Sequence, residues 1–411
     1  MVGRDASVDA RAGTRAEARA EVPAQDGASV RAKSAVREET RASDAPRSTE
    51  RKDAGDASRG PWTVRSLLAW MVPFLTEREV DSPRAVAEIL LTSVLGLERL
   101  RLYMEPEREL EPQELTRLRE LVARAGRHEP VQYLVGRWPF LGRDFEVAPC
   151  TLIPRPCTEL LVERALAWAR ERAERDGAAA SIDALDIGTG TGCIAVSLAL
   201  GMRAILRPDG AGCRPLRGGA VAPRSAAEAL PVARDISREG ASPEHAAVAE
   251  PGAAQASARG PAFRVVATDV VAEAAALAAR NAARLGAELD VRVGDMWEPI
   301  PEDERFDLIV SNPPYVTDAE YDALDRNVRE YEPASALRGG ADGLAFVRTV
   351  VVGAERRLRP GGLLLVEIGW KHGDAVRKLE GRKVDGRSVW CGVEVVRDQD
   401  GHERLLVAQR A

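Results

Sequence analysis

The stretch Phe306-Asp307-Leu308-Ile309-Val310-Ser311-Asn312-Pro313-Pro314-Tyr315 decides how this chain folds. Its first six residues make a short apolar, β-branched run, the pattern of a parallel strand buried on both faces. The run stops at Asn and two prolines, so the strand opens into a rigid loop. In open α/β sheets, ligands collect at that end of the strands. Two successive prolines hold φ and donate no N–H, which leaves the Asn312 side chain and the Pro313 carbonyl as oriented acceptors for a planar NH2 group. The chemistry suggested is group transfer to an amide or amino nitrogen. Taken alone, the tetrapeptide also fits a rigid surface turn with an amphipathic Tyr315.

Three further strand ends precede it. Leu185-Asp186-Ile187 leads into Gly188-Thr189-Gly190-Thr191-Gly192 and then into a helical stretch, 194–200. Glycines at such a turn let the backbone approach a ligand at a helix N-terminus, although many α/β proteins need them for packing and this one is not G-x-G-x-x-G. Asp269 closes the run Val265-Val266-Ala267-Thr268. An acid there can take both ribose hydroxyls of an adenosine, about 20 residues beyond the glycine turn. The separation is far longer here. Residues 202–261, rich in Ala, Pro, Gly, Arg and Ser and without apolar periodicity, read as a disordered insertion between the first helix and the second strand, and looping them out restores the usual spacing. The other reading of Asp269 is a helix N-cap.

The third run, 290–293, ends in Gly294-Asp295-Met296-Trp297. Asp295 is suited to accept from an adenine amine, with Met296 or Trp297 over the ring face; a turn Asp followed by two core residues is the alternative. In register, the four strand ends describe a cleft for an adenosine-bearing cofactor next to an amine acceptor.

Length and composition bound the possibilities. At 411 residues and 45% hydrophobic, the chain can bury cores in two or three domains. A net charge of −6 and a pI near 5.6 argue against direct nucleic-acid binding, which needs a basic field. The five cysteines form no C-x-x-C pair and the four histidines are scattered, so neither a disulfide framework nor a metal site is indicated. No apolar run reaches the roughly 18–20 residues of a membrane span. The Arg- and Ala-rich N-terminus carries too many acids for a transit peptide. The expected compartment is the cytoplasm.

Residues 1–60 lack large apolar side chains and read as a disordered tail. From 61 to 135 the periodicity turns helical: Leu67, Leu68, Met71 and Leu75 share one face, Val86, Ile89, Leu90 and Leu97 another, and Leu115, Leu118, Leu121 and Val122 a third. Asp81-Ser82-Pro83 supplies an N-cap and a proline at the first helical position. Residues 136–157 read as a β-hairpin linker. From 158 to 411, strand-like runs alternate with helical ones, the signature of a parallel sheet covered on both faces, and the chain ends in antiparallel segments near 393–396 and 403–408.

Several ordered segments carry a resemblance. They are Gln132-Tyr133-Leu134-Val135-Gly136, Phe140-Leu141-Gly142, Leu152-Ile153-Pro154-Arg155-Pro156, the glycine turn, Asn281, Ser311 to Tyr315, Tyr331-Glu332-Pro333, Ala336-Leu337-Arg338-Gly339-Gly340, Asp342-Gly343-Leu344, Pro360-Gly361-Gly362 and Glu367-Ile368-Gly369. With them the chain resembles the HemK/PrmC family of protein glutamine N5-methyltransferases. The resemblance implies an α/β, Rossmann-like class I S-adenosylmethionine-dependent methyltransferase sheet with a small N-terminal helical domain that recognises substrate. It implies methylation of the glutamine in the Gly-Gly-Gln motif of class-1 peptide-chain release factors. A substrate that is itself a large protein and must reach the cleft leads to the expectation of a monomer. Gly188, Thr189, Gly190, Thr191, Gly192 and Asp269 would hold the methionine and ribose parts of S-adenosylmethionine, Asp295 with Met296 or Trp297 the adenine, and Asn312, Pro313, Pro314 and Tyr315 the glutamine. Asn312, Pro313 and Tyr315 would carry catalysis, with Asn312 also beside the cofactor. The tetrapeptide is shared with amino-methyltransferases of nucleic-acid bases, and a ribosomal-protein glutamine or a weakened cofactor-binding relative are the other readings. Two departures stand out: Cys157-Thr158-Glu159 where the family usually has Glu-Thr-Glu, and Trp370-Lys371-His372-Gly373 where a Gln is usual.

Overall fold

Amphipathic periodicity at the start of the ordered chain builds a set of short helices: α1 (Val64–Thr76), α2 (Pro83–Leu95), α3 (Arg99–Met104), α4 (Pro112–Ala125) and α5 (Val131–Val135). The computed structural model describes residues 61–177, 180–206 and 262–411. The tail 1–60 and all but the first five residues of the interval 202–261 lie outside the described residues. Leu67, Met71, Leu75, Leu90, Leu91, Leu118 and Val122 form the core of the helical region. Leu68, Val86, Ile89, Leu97 and Leu115 sit at its margin. The α1 helix starts with a reciprocal cap between Thr63 and Ser66. Ser82 does not cap α2 as expected: its backbone is left-handed (φ 47°) and its side chain makes no capping bond, so Pro83 alone marks the start.

Glu88 breaks the apolar stripe of α2 and is nevertheless fully buried. Arg84 (2.9 Å), Arg99 (2.6 Å) and the Tyr103 hydroxyl (2.5 Å) surround it, which ties α3 to α2. Burial alone would push its carboxyl up, but the Tyr103 and Arg99 hydrogen bonds hold it below the usual range.

An antiparallel hairpin, Arg137–Phe140 with Arg143–Glu146, follows and packs Phe140 and Phe145 edge to face. Next come α6 (Glu159–Asp176), α7 (Cys193–Leu206) and α8 (Ala272–Leu285). They alternate with the strands β1 (Ser181–Ile187), β2 (Ala262–Asp269) and β3 (Asp290–Val293), followed by β4 (Phe306–Ser311), β5 (Leu358–Glu367), β6 (Trp390–Arg397) and β7 (Glu403–Arg410). The expected start of the insertion is corrected here: residues 202–206 finish α7, and Met202 and Leu206 are buried.

The seven strands form one sheet in the order β6-β7-β5-β4-β1-β2-β3. Pairing is parallel from β5 through β3, and β7 runs antiparallel between β5 and β6. Side chains alternate across it. Ile182, Ala184, Leu308 and Val310 face α6 and α7, while Leu185, Ile187, Ile309 and Val366 face a later helix, Ala345–Arg357. Asp307, the one acid inside the β4 run, is buried and satisfied by the Asp183 N–H (2.9 Å), Arg172 (3.0 Å) and Arg359 (2.5 Å). Strand order reverses about β1, which has β4 on one side and β2 on the other. That switch point is where open α/β sheets hold ligands. No helix among the described residues is long and apolar enough to cross a membrane.

Replacing Glu88 by Ala strips three donors of their shared acceptor and loosens α3. We expect a loss of about 1–3 kcal/mol in denaturant unfolding, with the methyltransferase half still able to bind its cofactor.

Candidate active site

Backbone register places the strand ends side by side: Ile187 pairs with Thr268 on one side and with Ser311 on the other. The Ser311 hydroxyl donates to the Ile187 carbonyl (2.8 Å) and locks that alignment. A cleft opens above these ends. Gly188 to Thr191, Thr268 to Val271, Gly294 to Met296, Asn312 and Pro314 line it from the strands, and residues 150–155, Thr158 and Phe346 close its other walls.

The glycine turn is held from below. Gly188 and Thr189 both donate to the Thr268 carbonyl (2.9 Å each), and the Thr189 hydroxyl donates to buried Asp186 (2.7 Å). Burial pushes the Asp186 carboxyl up to about 7, against hydrogen bonds from the Thr189 hydroxyl and the Ala195 N–H. Asp186 carries no role in the sequence reading, although its place as the last acid before the glycines was the available signal. Gly188, Gly190 and Gly192 all have positive φ. A Cβ on Gly188 would stand in open space, whereas one on Gly192 would lie 3.0 Å from the Ala278 Cβ. Gly192 therefore serves the packing of the turn on α8 and does not line the cleft.

Asp269 sits at the end of β2 as expected. Its Oδ2 accepts from the Gly190 N–H (2.8 Å) and its Oδ1 from the Val271 N–H (2.9 Å), while burial raises its carboxyl above the usual range. A carboxylate has about four acceptor sites, so two remain for the hydroxyls of a ribose. Asp295 is exposed at the cleft edge, and Met296 beside it takes a left-handed φ of 45°, an uncommon geometry for a side chain of its size. Trp297 points the other way, contrary to one of the two expectations for the ring-covering residue. Its Nε1 donates to the Thr349 carbonyl (2.9 Å) and its ring lies under Arg357, against Gly353 of the helix Ala345–Arg357. The loop after β3 turns Met296 toward the cleft and Trp297 away from it.

The Asn312 Nδ2 donates to the Thr158 hydroxyl (3.2 Å), which leaves Oδ1 as the spare acceptor of a residue that lines the cleft. Pro313 is buried beneath the loop, Pro314 lines the cleft, and Tyr315 does not. The Tyr315 side chain turns inward, where its hydroxyl donates to Glu367 Oε1 (3.1 Å). Its expected role in holding the glutamine and in catalysis is thus corrected to that of an anchor for the loop. Behind it, the Val316 N–H donates to the Leu337 carbonyl (2.9 Å) and the Val316 carbonyl accepts from the Gly339 N–H (2.7 Å), and a Cβ on Gly339 would meet the Pro314 carbonyl at 2.8 Å.

The segment 152–156 forms a cleft wall that local sequence reasoning assigned to no role. Glu332 fixes it, accepting from Arg155 (2.5 Å) and from the Ile153 N–H (3.1 Å). Tyr133 donates to the Thr151 carbonyl (2.6 Å), and Tyr331 to the Arg127 carbonyl (2.7 Å), so this wall is braced against the helical region. Asp398, Asp400 and His402 also meet, at the β6–β7 turn, but Asp398 is engaged by Arg404 and by N–H groups of its own turn.

Asp269→Ala should weaken S-adenosylmethionine binding about 10- to 100-fold by calorimetry, the cost of losing a charged acceptor. Trp297→Phe should leave that affinity within about twofold, because its ring and N–H serve the helix behind it.

Residues 66–136 match a family model described as the PrmC N-terminal domain, and residues 252–332 one described as the methyltransferase small domain. The chain is 37% identical over 345 residues to a release factor glutamine methyltransferase of Geobacter sulfurreducens, covering 84% of this chain and 96% of the relative. A protein of the same name from Koribacter versatilis is 33% identical over 348 residues, with 85% and 99% covered. The one from Nitratidesulfovibrio vulgaris is 35% identical over 356 residues, with 86% and 97% covered. The cofactor such an enzyme uses, S-adenosylmethionine, fits the residues present: an open glycine turn for its backbone-like end, spare acceptors on Asp269, and Met296 beside Asp295 for the base. Sheet order, cleft and near full-length similarity lead to one conclusion: the chain belongs to the release factor glutamine methyltransferase family, with a class I S-adenosylmethionine-dependent methyltransferase fold.

Proposed function

We propose that this chain transfers a methyl group from S-adenosylmethionine to the side-chain amide nitrogen (N5) of a glutamine, that of the Gly-Gly-Gln motif in class-1 peptide-chain release factors. The observation that carries the reading is the orientation of Asn312, whose Nδ2 is engaged by Thr158 and whose Oδ1 is left for the cleft lined by Asp269 and the glycine turn. The relatives' names supply the substrate.

An amide nitrogen is a weak nucleophile because its lone pair is delocalised into the carbonyl. Asn312 Oδ1 and the Pro313 carbonyl each accept one N–H of the glutamine, which fixes the plane of the amide and aims its nitrogen into the cleft. The cofactor supplies a sulfonium methyl: its carbon–sulfur pair stays on sulfur as the amide nitrogen bonds the methyl and sheds one proton to solvent. Both acceptors favour the transition state, in which the N–H groups carry growing positive charge, over the neutral amide. No dedicated base is required. Asn312→Ala should keep its fold and some cofactor affinity and lose transfer to the release factor by about 100-fold or more, an effect of the size seen on removing one oriented polar group. Assays with labelled cofactor and release factor, ribosomal protein or oligonucleotide separate this reading from the other amino-methyl transfers.

The helical region, 61–135, is assigned to gripping the protein substrate. It has a core of its own, is braced to the cleft wall, and exposes Leu100, Tyr103 and Met104 on α3. Substituting Glu for both Leu100 and Met104 should raise KM for the intact factor about tenfold, roughly 1.4 kcal/mol, and leave cofactor affinity unchanged. An unaltered KM refutes the assignment. A release-factor substrate places the enzyme in the cytoplasm, and a cleft that must admit a large protein suits a monomer.

A further inference from the structure

The α8 helix is built of Ala, Leu, Glu and Arg with one exception, Asn281, which sits on its buried face and is 0% exposed. Asn is a weak helix former, and a buried amide costs free energy unless its donors and acceptors are met. All of them are met here. Oδ1 accepts from the Glu146 N–H (2.8 Å) and from Arg284 (3.1 Å), while Nδ2 donates to the Glu146 carbonyl (3.0 Å) and to the Thr191 carbonyl (2.9 Å). Reversing the amide would set donor against donor at Glu146 and acceptor against acceptor at Thr191, so the partners fix its direction. Toward Glu146 the side chain acts as a neighbouring strand would, taking both backbone groups of the last residue of the hairpin.

The two segments joined in this way face each other across one end of the cleft. Thr191 belongs to the glycine turn and lines the cleft. Glu146 ends the hairpin, from which the chain runs through 147–149 directly into the wall 150–155. Wall and turn come within van der Waals reach of each other: a Cβ on Gly190 would lie 3.9 Å from the Thr151 Cβ. Asn281 itself does not line the cleft. It stands behind, where Gly192 lets α8 come close, since a Cβ there would lie 3.0 Å from the Cβ of Ala278, the neighbour of Asn281 on the same helix face.

Resting on the reading of the glycine turn as the seat of the methionine end of S-adenosylmethionine, we propose that Asn281 is a positioning residue for the cofactor: its amide holds the glycine turn and the cleft wall at the spacing the cofactor needs. A ligand bound between two segments gains full contact with both when their separation is set beforehand; otherwise part of its binding free energy goes into ordering them. Chain connectivity does not set that separation, because α6 and β1 intervene between the hairpin and the turn. Arg280 and Arg284 flank Asn281 and pair with the Glu146 carboxylate (3.8 and 3.7 Å), but these are ties to the hairpin and not to the glycine turn.

The test uses the full-length chain, with S-adenosylmethionine Kd by calorimetry, kcat and release-factor KM at saturating cofactor, and Tm measured for each variant. Asn281→Asp keeps the shape and puts an oxygen where both carbonyls need a donor; Asn281→Ala removes the clamp outright. In both, cofactor Kd should rise about tenfold or more. At saturating cofactor, kcat and release-factor KM should stay within about threefold of wild type, because bound cofactor restores the spacing. Arg284→Ala separates this from a merely structural role: it loosens the same helix from the same hairpin, and should lower Tm with cofactor Kd within about twofold. A normal cofactor Kd in either Asn281 variant, or a Kd that rises as much in Arg284→Ala, overturns the proposal. Should the Asn281 variants fail to fold, hydrogen exchange of the wild-type protein decides. The Glu146 amide, which does not line the cleft, should exchange about tenfold more slowly once S-adenosylmethionine is bound, and an unchanged rate overturns the proposal. Asp269→Ala run alongside keeps the two questions apart: weakened binding there with normal Kd in the Asn281 variants sinks the clamp only, whereas normal binding in Asp269→Ala sinks the reading beneath it.

Discussion

Everything in the cleft depends on the parallel pairing of β1 with its two neighbours. A parallel sheet must be covered on both faces, so its strands are apolar throughout and their polar groups are confined to the ends. The register that pairs Ile187 with Thr268 and with Ser311 brings those ends into one row. The Ser311 bond to the Ile187 carbonyl spans the strands where they separate, and Gly188 and Thr189 share the Thr268 carbonyl on the other side. Slipping β4 by one residue would turn Asn312 to the opposite face of the sheet.

Much of this was legible in the chain itself. Apolar runs ending in a glycine turn, an acid, an acid and Asn-Pro-Pro-Tyr gave the order of the cleft components, because strand ends are marked by local chemistry. What local chemistry does not mark is the direction of single side chains in irregular loops. Trp297 and Met296 differ by one position, and the turn after β3 decided between them by packing the indole against Gly353. Tyr315 follows two prolines that fix the backbone, yet its side chain answers to a carboxylate 52 residues away. Gly192 looks like its two neighbouring glycines in sequence and serves a different end, the close approach of α8. Ser82 carries the residue type of a helix cap in a backbone conformation that prevents capping.

The same limit explains the contacts that were missed. Thr158 meets Asn312 across 154 residues, and Glu332 meets Arg155 across 177. Asn281, on α8, bonds both the hairpin at Glu146 and the glycine turn at Thr191. Each is a polar group buried among apolar ones, and each is satisfied by a partner on a distant segment. Burial makes such pairs matter, since an unpaired member would cost about 1–3 kcal/mol. Sequence distance makes them invisible to any reading that moves along the chain. They form a layer of polar cross-links directly beneath a site whose visible residues come from the strand ends.

The path of the chain between β1 and β2 has a different consequence. The glycine turn and the first residue of α7 lie at the cleft, α7 then runs back along the sheet to Leu206, and β2 begins at Ala262, opposite Ser181, the first residue of β1. Leu206 and Ala262 therefore both stand at the opposite end of the strands from the glycine turn. The points at which the described chain leaves α7 and enters β2 are thus remote from the cleft, and such a place is a natural one at which to open a chain for new termini or a grafted domain.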